Sequence, residues 1–161
     1  MKWETLSEEP CSVARTSAVI GDRWTVLILR EAFTGARRFD DFQAALGISR
    51  TIVTDRLALL TGEGVLERIP YQDRPPRFEY RLTDKGRELH PVLLAMFHWG
   101  DRHYAGGAGP PLVLRHSGCD HDFHAVSVCS ECAAPLRPET VEVRPGPGFH
   151  SAPRRARRKT A

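Results

Sequence analysis

Residues 48–82 constrain the fold more than any other stretch of the chain. Ile52, Val53, Leu57 and Leu60 recur at three- and four-residue intervals, as one buried helix face requires, and Gly62 and Gly64 close that pattern. Residues 65–69 and 78–82 then read as a strand and its alternating return partner. Between them, residues 71–77 hold Pro75 and Pro76, which fix φ and stiffen the turn, flanked by Arg74 and Arg77. A helix followed by a stiff, basic hairpin is the element order of a winged helix-turn-helix.

The flanking sequence supports that architecture. Residues 11–20 predict a helix with Val13, Ala14, Ser17 and Ile20 on one side, broken by Gly21. Asp22 caps a second helix through Phe33, with Trp24, Leu27, Ile28 and Ala32 directed at the core. Gly35 ends it, and residues 39–46 form a third helix with Phe39, Phe42 and Leu46 buried. Gly47-Ile48-Ser49 makes a compact turn, Ser49 capping the fourth helix. Thr83 caps a long helix from Asp84, which Pro91 is expected to kink. Leu89, Val92, Leu93, Met96, Phe97 and Trp99 give that helix more apolar surface than a small domain needs. Together with the N-terminal helix it is the expected dimer surface. The fold class is therefore mainly α with a small β-wing: a winged helix-turn-helix over residues 1–104, with N- and C-terminal dimerisation helices. A linker at 105–111, a Cys/His segment at 112–144 and a disordered basic tail at 145–161 complete the expected organisation.

The formal net charge is +3, but residues 1–110 hold 15 Lys/Arg against 15 Asp/Glu. The surplus lies in the run Arg154-Arg155-Ala156-Arg157-Arg158-Lys159, so individual arginines must carry any argument for nucleic acid. On the fourth helix, Arg50, Thr51 and Thr54 lie opposite the buried stripe, a small polar face that fits a major groove, with Ser49 at its start. Arg56 is nearer the buried edge, where an ion pair with Asp55 or Glu63 competes with a DNA role. Arg38, leading into the third helix, and Arg74 and Arg77 at the wing complete the DNA-binding set. Double-stranded DNA and a second copy of the chain are the expected partners. The expected location is cytoplasmic: the polar, acidic N-terminus is no secretory signal, and no apolar run approaches the roughly 20 residues that span a bilayer. No nucleophile–base–orienter set is apparent, so no enzyme is expected and no cofactor is required.

Beyond the Gly/Pro-rich break, residues 112–115 read as a short strand, followed by His116, Cys119, Cys129 and Cys132. The two-residue gaps in His116–Cys119 and Cys129–Cys132 let each pair reach one tetrahedral zinc; His121 or His124 are alternatives to His116. Against a structural zinc stands a reduced hairpin, or a redox-active Cys129/Cys132 pair. Cys11 stands apart, read either as a helix-packing thiol or as a redox or electrophile sensor. A groove beside the long terminal helix would suit a small aromatic effector.

Taken in order, Cys11-Ser12-Val13-Ala14-Arg15, Ile20-Gly21-Asp22-Arg23-Trp24 and Arg38-Phe39-Asp40-Asp41-Phe42 resemble the HxlR family of bacterial transcriptional regulators. Ile48-Ser49-Arg50, Leu57, Leu59-Leu60, Gly64 and Tyr80-Arg81-Leu82-Thr83-Asp84-Lys85-Gly86 continue the resemblance, which spans roughly residues 8–103. It implies a homodimeric winged-helix DNA-binding protein, activator or repressor, paired through its terminal helices. In some members a cysteine near the position of Cys11 responds to electrophiles. The segment beyond residue 110 departs from the minimal pattern and resembles an addition found in longer members. The alternative function is a winged-helix protein–protein adaptor that reads no DNA.

Overall fold

A computed structural model describes residues 3–149, and the chain divides into two units, residues 19–127 and residues 1–18 with 128–161. The larger unit is built on helices whose caps are set by sequence. Helix α1 is Ser12–Ile20, and its last two residues, Val19 and Ile20, belong to this unit and pack on its core. Helix α2 (Arg23–Phe33) starts where the Asp22 carboxylate accepts the N–H groups of Trp24 and Thr25, at 3.0 and 3.2 Å. Helix α3 (Phe39–Leu46) ends at Gly47, whose φ of +62° is costly for a side-chain-bearing residue. Helix α4 (Arg50–Gly62) starts where Ser49 Oγ accepts the Ile52 N–H.

Ile28, Leu29, Ala32, Phe42, Val53, Leu57, Leu60, Val65 and Leu66 form the centre of the core, with Leu82 at its edge. On α2 the innermost face is Thr25, Ile28, Leu29 and Ala32; Trp24, expected to lead it, is only half-buried and packs at the rim. On α4, Val53, Leu57 and Leu60 are buried as expected, whereas Ile52 is half-buried.

The wing is longer than expected. Strand β1 is Leu66–Asp73 and β2 is Pro76–Leu82, paired antiparallel from Leu66↔Leu82 to Asp73↔Pro76. Pro70 lies inside β1 rather than ending it. Its partner is Phe78, and the register shifts between Pro70 and Gln72, which leaves Tyr71 as the extra residue. A two-stranded ribbon tolerates the missing N–H of proline at such an irregularity. On the other edge of β2, Tyr80 N–H donates to Arg37 O at 2.7 Å and Arg38 bridges to Glu79. The lead-in to α3 thus behaves as a third, very short strand.

The expected single kinked helix after the wing is two helices, α5 (Asp84–Arg87) and α6 (His90–Tyr104). Pro91 explains the break: its ring would clash with the carbonyl of residue 87 in a continuous helix, whereas in the first turn of α6 its missing N–H costs nothing. Residues 112–114 do not form the expected strand; the hairpin there is β3 (Arg115–His116) with β4 (His121–Asp122). Nor does the chain divide at 105–111. Leu112, Val113, Phe123 and His124 share a pocket with Phe97, His98 and Asp101 of α6, and the His124 ring stacks on His98 at 5.0 Å.

The smaller unit holds a 3-10 turn (Trp3–Glu8), most of α1, a turn bridged by Val128↔Pro135 and a second 3-10 turn (Pro138–Thr140). Of the expected basic tail, residues 145–149 include a turn closed from Phe149 N–H to Gly146 O, and 150–161 lie outside the described residues. No helix among the described residues is long and apolar enough to cross a membrane.

The base of the wing is closed by backbone. Thr83 Oγ accepts the Gly86 N–H and donates to Gly64 O at 2.7 Å, while Thr83 N–H donates to Val65 O at 3.1 Å. A Cβ on Gly86 would collide with that same Val65 carbonyl. Gly86→Ala should therefore lower the unfolding free energy by about 1–3 kcal/mol, although alanine favours helices. Urea unfolding followed by circular dichroism measures it; an unchanged midpoint would show that the carbonyl yields freely.

Candidate nucleic-acid interface

Helix α4 buries Val53, Leu57 and Leu60, so Arg50, Thr51, Thr54 and Asp55 are turned to solvent. Its N-terminus also presents the positive end of the helix dipole, next to Ser49, whose hydroxyl is engaged as the cap. The α3 lead-in bonded to β2 brings Arg38 to the same side, and the wing closes a cleft that holds Arg38, Arg50 and Arg77 with Phe39, Tyr71 and Phe78. Its volume is about 280 Å³.

Each arginine at the cleft is held differently. Arg50 lies over the Phe39 ring at 4.5 Å, donates to Gln43 Oε1 at 3.2 Å, and sits 3.6 Å from Asp40 Oδ1. Arg38 lies over the Tyr71 ring at 4.6 Å and 3.5 Å from Glu79 Oε1. Both side chains remain more than half exposed, so their ion pairs are solvent-screened and weak. Arg74 and Arg77 are exposed at the wing tip and have no carboxylate partner among the described residues.

Arg56 has neither of the expected partners. It lies 3.4 Å from Asp22, the cap of α2, and is about two-thirds covered, so it joins the fourth helix to the second. The aromatic supports also differ from expectation. Tyr71 belongs to a turn by sequence, yet the bulge places it under Arg38; Phe39 belongs to the core by sequence, yet its ring also supports Arg50. Arg68, over the Phe78 ring at 3.4 Å, is a further exposed wing cation. The interleaving of arginine and aromatic residues along 68–78 is the sequence signal for the wing aromatics Tyr71 and Phe78.

Glu79 is the carboxylate that organises the wing side. Its pKa is held below the ordinary value near 4.5, chiefly by the hydrogen bond from Arg81 at 2.8 Å; desolvation opposes this, and the charges of Arg81 and Arg38 reinforce it.

The Cys and His residues fall into local sets. His116 Nδ1 is 3.2 Å from Cys119 Sγ in the β3–β4 turn, His121 Nδ1 hydrogen-bonds Cys119 O, and His124 is stacked on His98. In the smaller unit, the N–H groups of Glu131 and Cys132, together with the Cys132 side chain, hold the Cys129 thiol below its ordinary pKa. Among the described residues no group of three or more His, Cys, Asp or Glu gathers as a metal site. Cys11 is exposed just before α1 and lines a groove of about 590 Å³ with Arg15, Val143 and Phe149.

The family model for the HxlR-like helix-turn-helix matches residues 19–107. This chain belongs to the HxlR family. The uncharacterized HTH-type transcriptional regulator Rv3095 of Mycobacterium tuberculosis is 41% identical over 138 residues, covering 86% of this chain and 87% of its own. A match of that length cannot fit within residues 1–107, so it continues into the Cys/His segment. The crystal structure of PA1607, a candidate transcription factor, superposes with a TM-score of 0.79 at 35% identity, over 87% of this chain and 98% of that one. The redox regulator HypR in its oxidized form gives a TM-score of 0.53 at 34% identity, over 58% of this chain and 97% of its own. The family match covers every residue that lines the cleft, and some relatives share the length beyond it.

A carboxylate with a lowered pKa stabilises the fold above its unfolded pKa and loses that contribution as pH falls through its folded value. Arg81→Ala should therefore raise the Glu79 pKa toward the ordinary carboxylate value and reduce the stability lost on acidification. Carboxyl-carbon NMR titration of both proteins tests this; an unmoved Glu79 midpoint would show that Arg81 is not its main partner.

Proposed function

We propose that this HxlR-family regulator is a sequence-specific DNA-binding protein that acts in the cytoplasm as a homodimer on an inverted-repeat operator. The observation that carries this reading is the cleft that gathers Arg38, Arg50 and Arg77 beside the outward polar face of α4. Arg50 is placed for base edges in the major groove, with Thr51 and Thr54 as shorter polar contacts. Arg38, Arg74 and Arg77 are placed for phosphates or the adjacent minor groove. Ser49 contributes the helix start. Arg56, engaged with Asp22, supports α4 from behind and reaches DNA only by giving up that pair.

Dimerisation is supported by exposed apolar residues on both terminal helices. Val92, Met96 and Trp99 form a stripe on α6 at four- and three-residue spacing, and Val13 is exposed on α1. Two copies would present two α4 helices at the roughly 34 Å repeat of one DNA face. Control through Cys11 belongs to the same proposal: its thiol is exposed and accessible to an oxidant or electrophile, or to a small effector in the neighbouring groove.

Selection of genomic fragments by the full-length protein at about 0.15 M salt, followed by titration of the enriched site, tests the reading. An inverted repeat should emerge. Arg50→Ala should cost about 1–3 kcal/mol on that site and little on random duplex, with the dimer intact by sedimentation. The double change Arg74→Ala with Arg77→Ala should weaken binding to every sequence and reduce the slope of log affinity against log salt by about 0.9 for each phosphate no longer neutralised. Equal affinity of the parent protein for selected and random DNA would overturn sequence-specific regulation and favour the adaptor.

A further inference from the structure

We propose that Cys129 and Cys132 are a reversible thiol–disulfide pair oxidised by hydroperoxides, Cys129 attacking first and Cys132 closing the bond. The pair lies in the smaller unit, outside the family match at residues 19–107, and the inference does not rest on DNA binding. Residues 130–132 form a tight turn, with the two cysteines at its first and fourth positions. A turn brings the Cα atoms of such positions within about 7 Å, the reach of a disulfide. The backbone fixes this turn on both sides of the pair. Ala134 O accepts the Cys129 N–H and Cys129 O accepts the Ala133 N–H, both at 2.9 Å, while Val128 bridges to Pro135. Directly after Cys132, Ala133 takes a φ of +56°, a conformation uncommon for a residue bearing a side chain. The chain is thereby bent so that the two side chains meet: the Cys132 thiol hydrogen-bonds the Cys129 sulfur.

The two thiols are not equivalent. Cys129 is half-buried, whereas Cys132 is exposed. The Glu131 and Cys132 N–H groups point at Cys129 Sγ, and the Cys132 thiol donates to the same atom. These donors favour the Cys129 thiolate, although partial burial opposes them. The Glu131 carboxylate accepts the Ser130 hydroxyl at 3.1 Å. The turn therefore presents a nucleophilic sulfur with a second sulfur and its proton directed at it. In the first step, the Cys129 thiolate attacks one oxygen of hydrogen peroxide and the O–O bond breaks. The departing oxygen takes the Cys132 proton and leaves as water, and Cys129 becomes a sulfenic acid. In the second step, the Cys132 thiolate attacks the Cys129 sulfur. The S–O bond breaks, and hydroxide leaves and is protonated by solvent. Two thiols lose two electrons and two protons, and one peroxide becomes two molecules of water.

The test treats the reduced, chelated full chain with one equivalent of hydrogen peroxide and follows it by intact mass and by peptide mapping without reduction. Cleavage after Asp122 separates Cys119 from the pair for the mapping. Two of the four thiols should be lost, with a mass decrease of two hydrogens and a Cys129–Cys132 link that dithiothreitol reverses. Cys132→Ser should accumulate a sulfenic acid at Cys129 that dimedone traps. Cys129→Ser should leave Cys132 as a thiol under the same treatment. Circular dichroism checks that both variants keep the fold, and the mapping of the parent protein decides the pairing without them. A link from either cysteine to Cys11 or Cys119 would overturn the proposal, as would oxidation of Cys132 in the Cys129→Ser protein or a pair that stays reduced while Cys11 is consumed. So would parent protein that, before chelation, carries one zinc per chain on Cys129 and Cys132 and resists peroxide.

Discussion

The carbonyl of Val65 is the point on which the winged-helix body depends. It accepts a hydrogen bond from the N–H of Thr83 and abuts Gly86, while the Val65 N–H donates to Leu60 O near the end of α4. The end of the fourth helix, the root of the wing and the first turn of α5 are thereby referred to one peptide unit. The buried side chains Val65, Leu66 and Leu82 then insert between the helices. Removing one large core side chain typically costs about 2–5 kcal/mol, more than any exposed ion pair in the molecule contributes. The angle between α4 and the wing is therefore set by backbone and apolar packing, and the charged residues occupy positions determined by others.

Much of this was legible because the sequence states its local boundaries chemically. Asp22, Ser49 and Thr83 each supply a cap acceptor, and Gly47 and Gly64 take positive φ where helices α3 and α4 end. What was not legible required knowing a neighbour. Pro70 looks like a strand terminator until β2 and the register shift are present. Arg56 reads as a partner of Asp55 or Glu63 until Asp22, far away in sequence, turns toward it. Trp24 is the larger apolar residue, yet Thr25 lies deeper because the rotation of α2 is decided by its packing on α3 and α4. The buried hydroxyl of Thr25 finds no hydrogen-bond partner among the described residues.

At the cleft, the supporting interactions are individually slight. An exposed ion pair contributes at most about 1 kcal/mol, and a cation–π contact at an exposed site about 0.5–1 kcal/mol. Arg38 and Arg50 are thus oriented by aromatic plates and nearby carboxylates without being trapped by them. On the proposed reading, a polyanion exchanges those weak contacts for its own, and the plates remain to limit the directions each guanidinium can point. On that same reading, a body of balanced charge would recognise phosphate through the orientation of its arginines rather than through bulk attraction.

The closed root of the wing has a consequence for how such a protein can change over generations. At its root the fixed element is a peptide carbonyl beside a glycine that admits no Cβ, so variation there is costly whatever side chain is tried. At its tip, Arg74 and Arg77 are exposed and outside the core, so exchanging them leaves the packing intact. On the proposed reading, the scaffold and its reading surface are thereby uncoupled. A lineage would then drift in what it recognises by altering the tip and the outer face of α4 while inheriting the root of the wing unaltered.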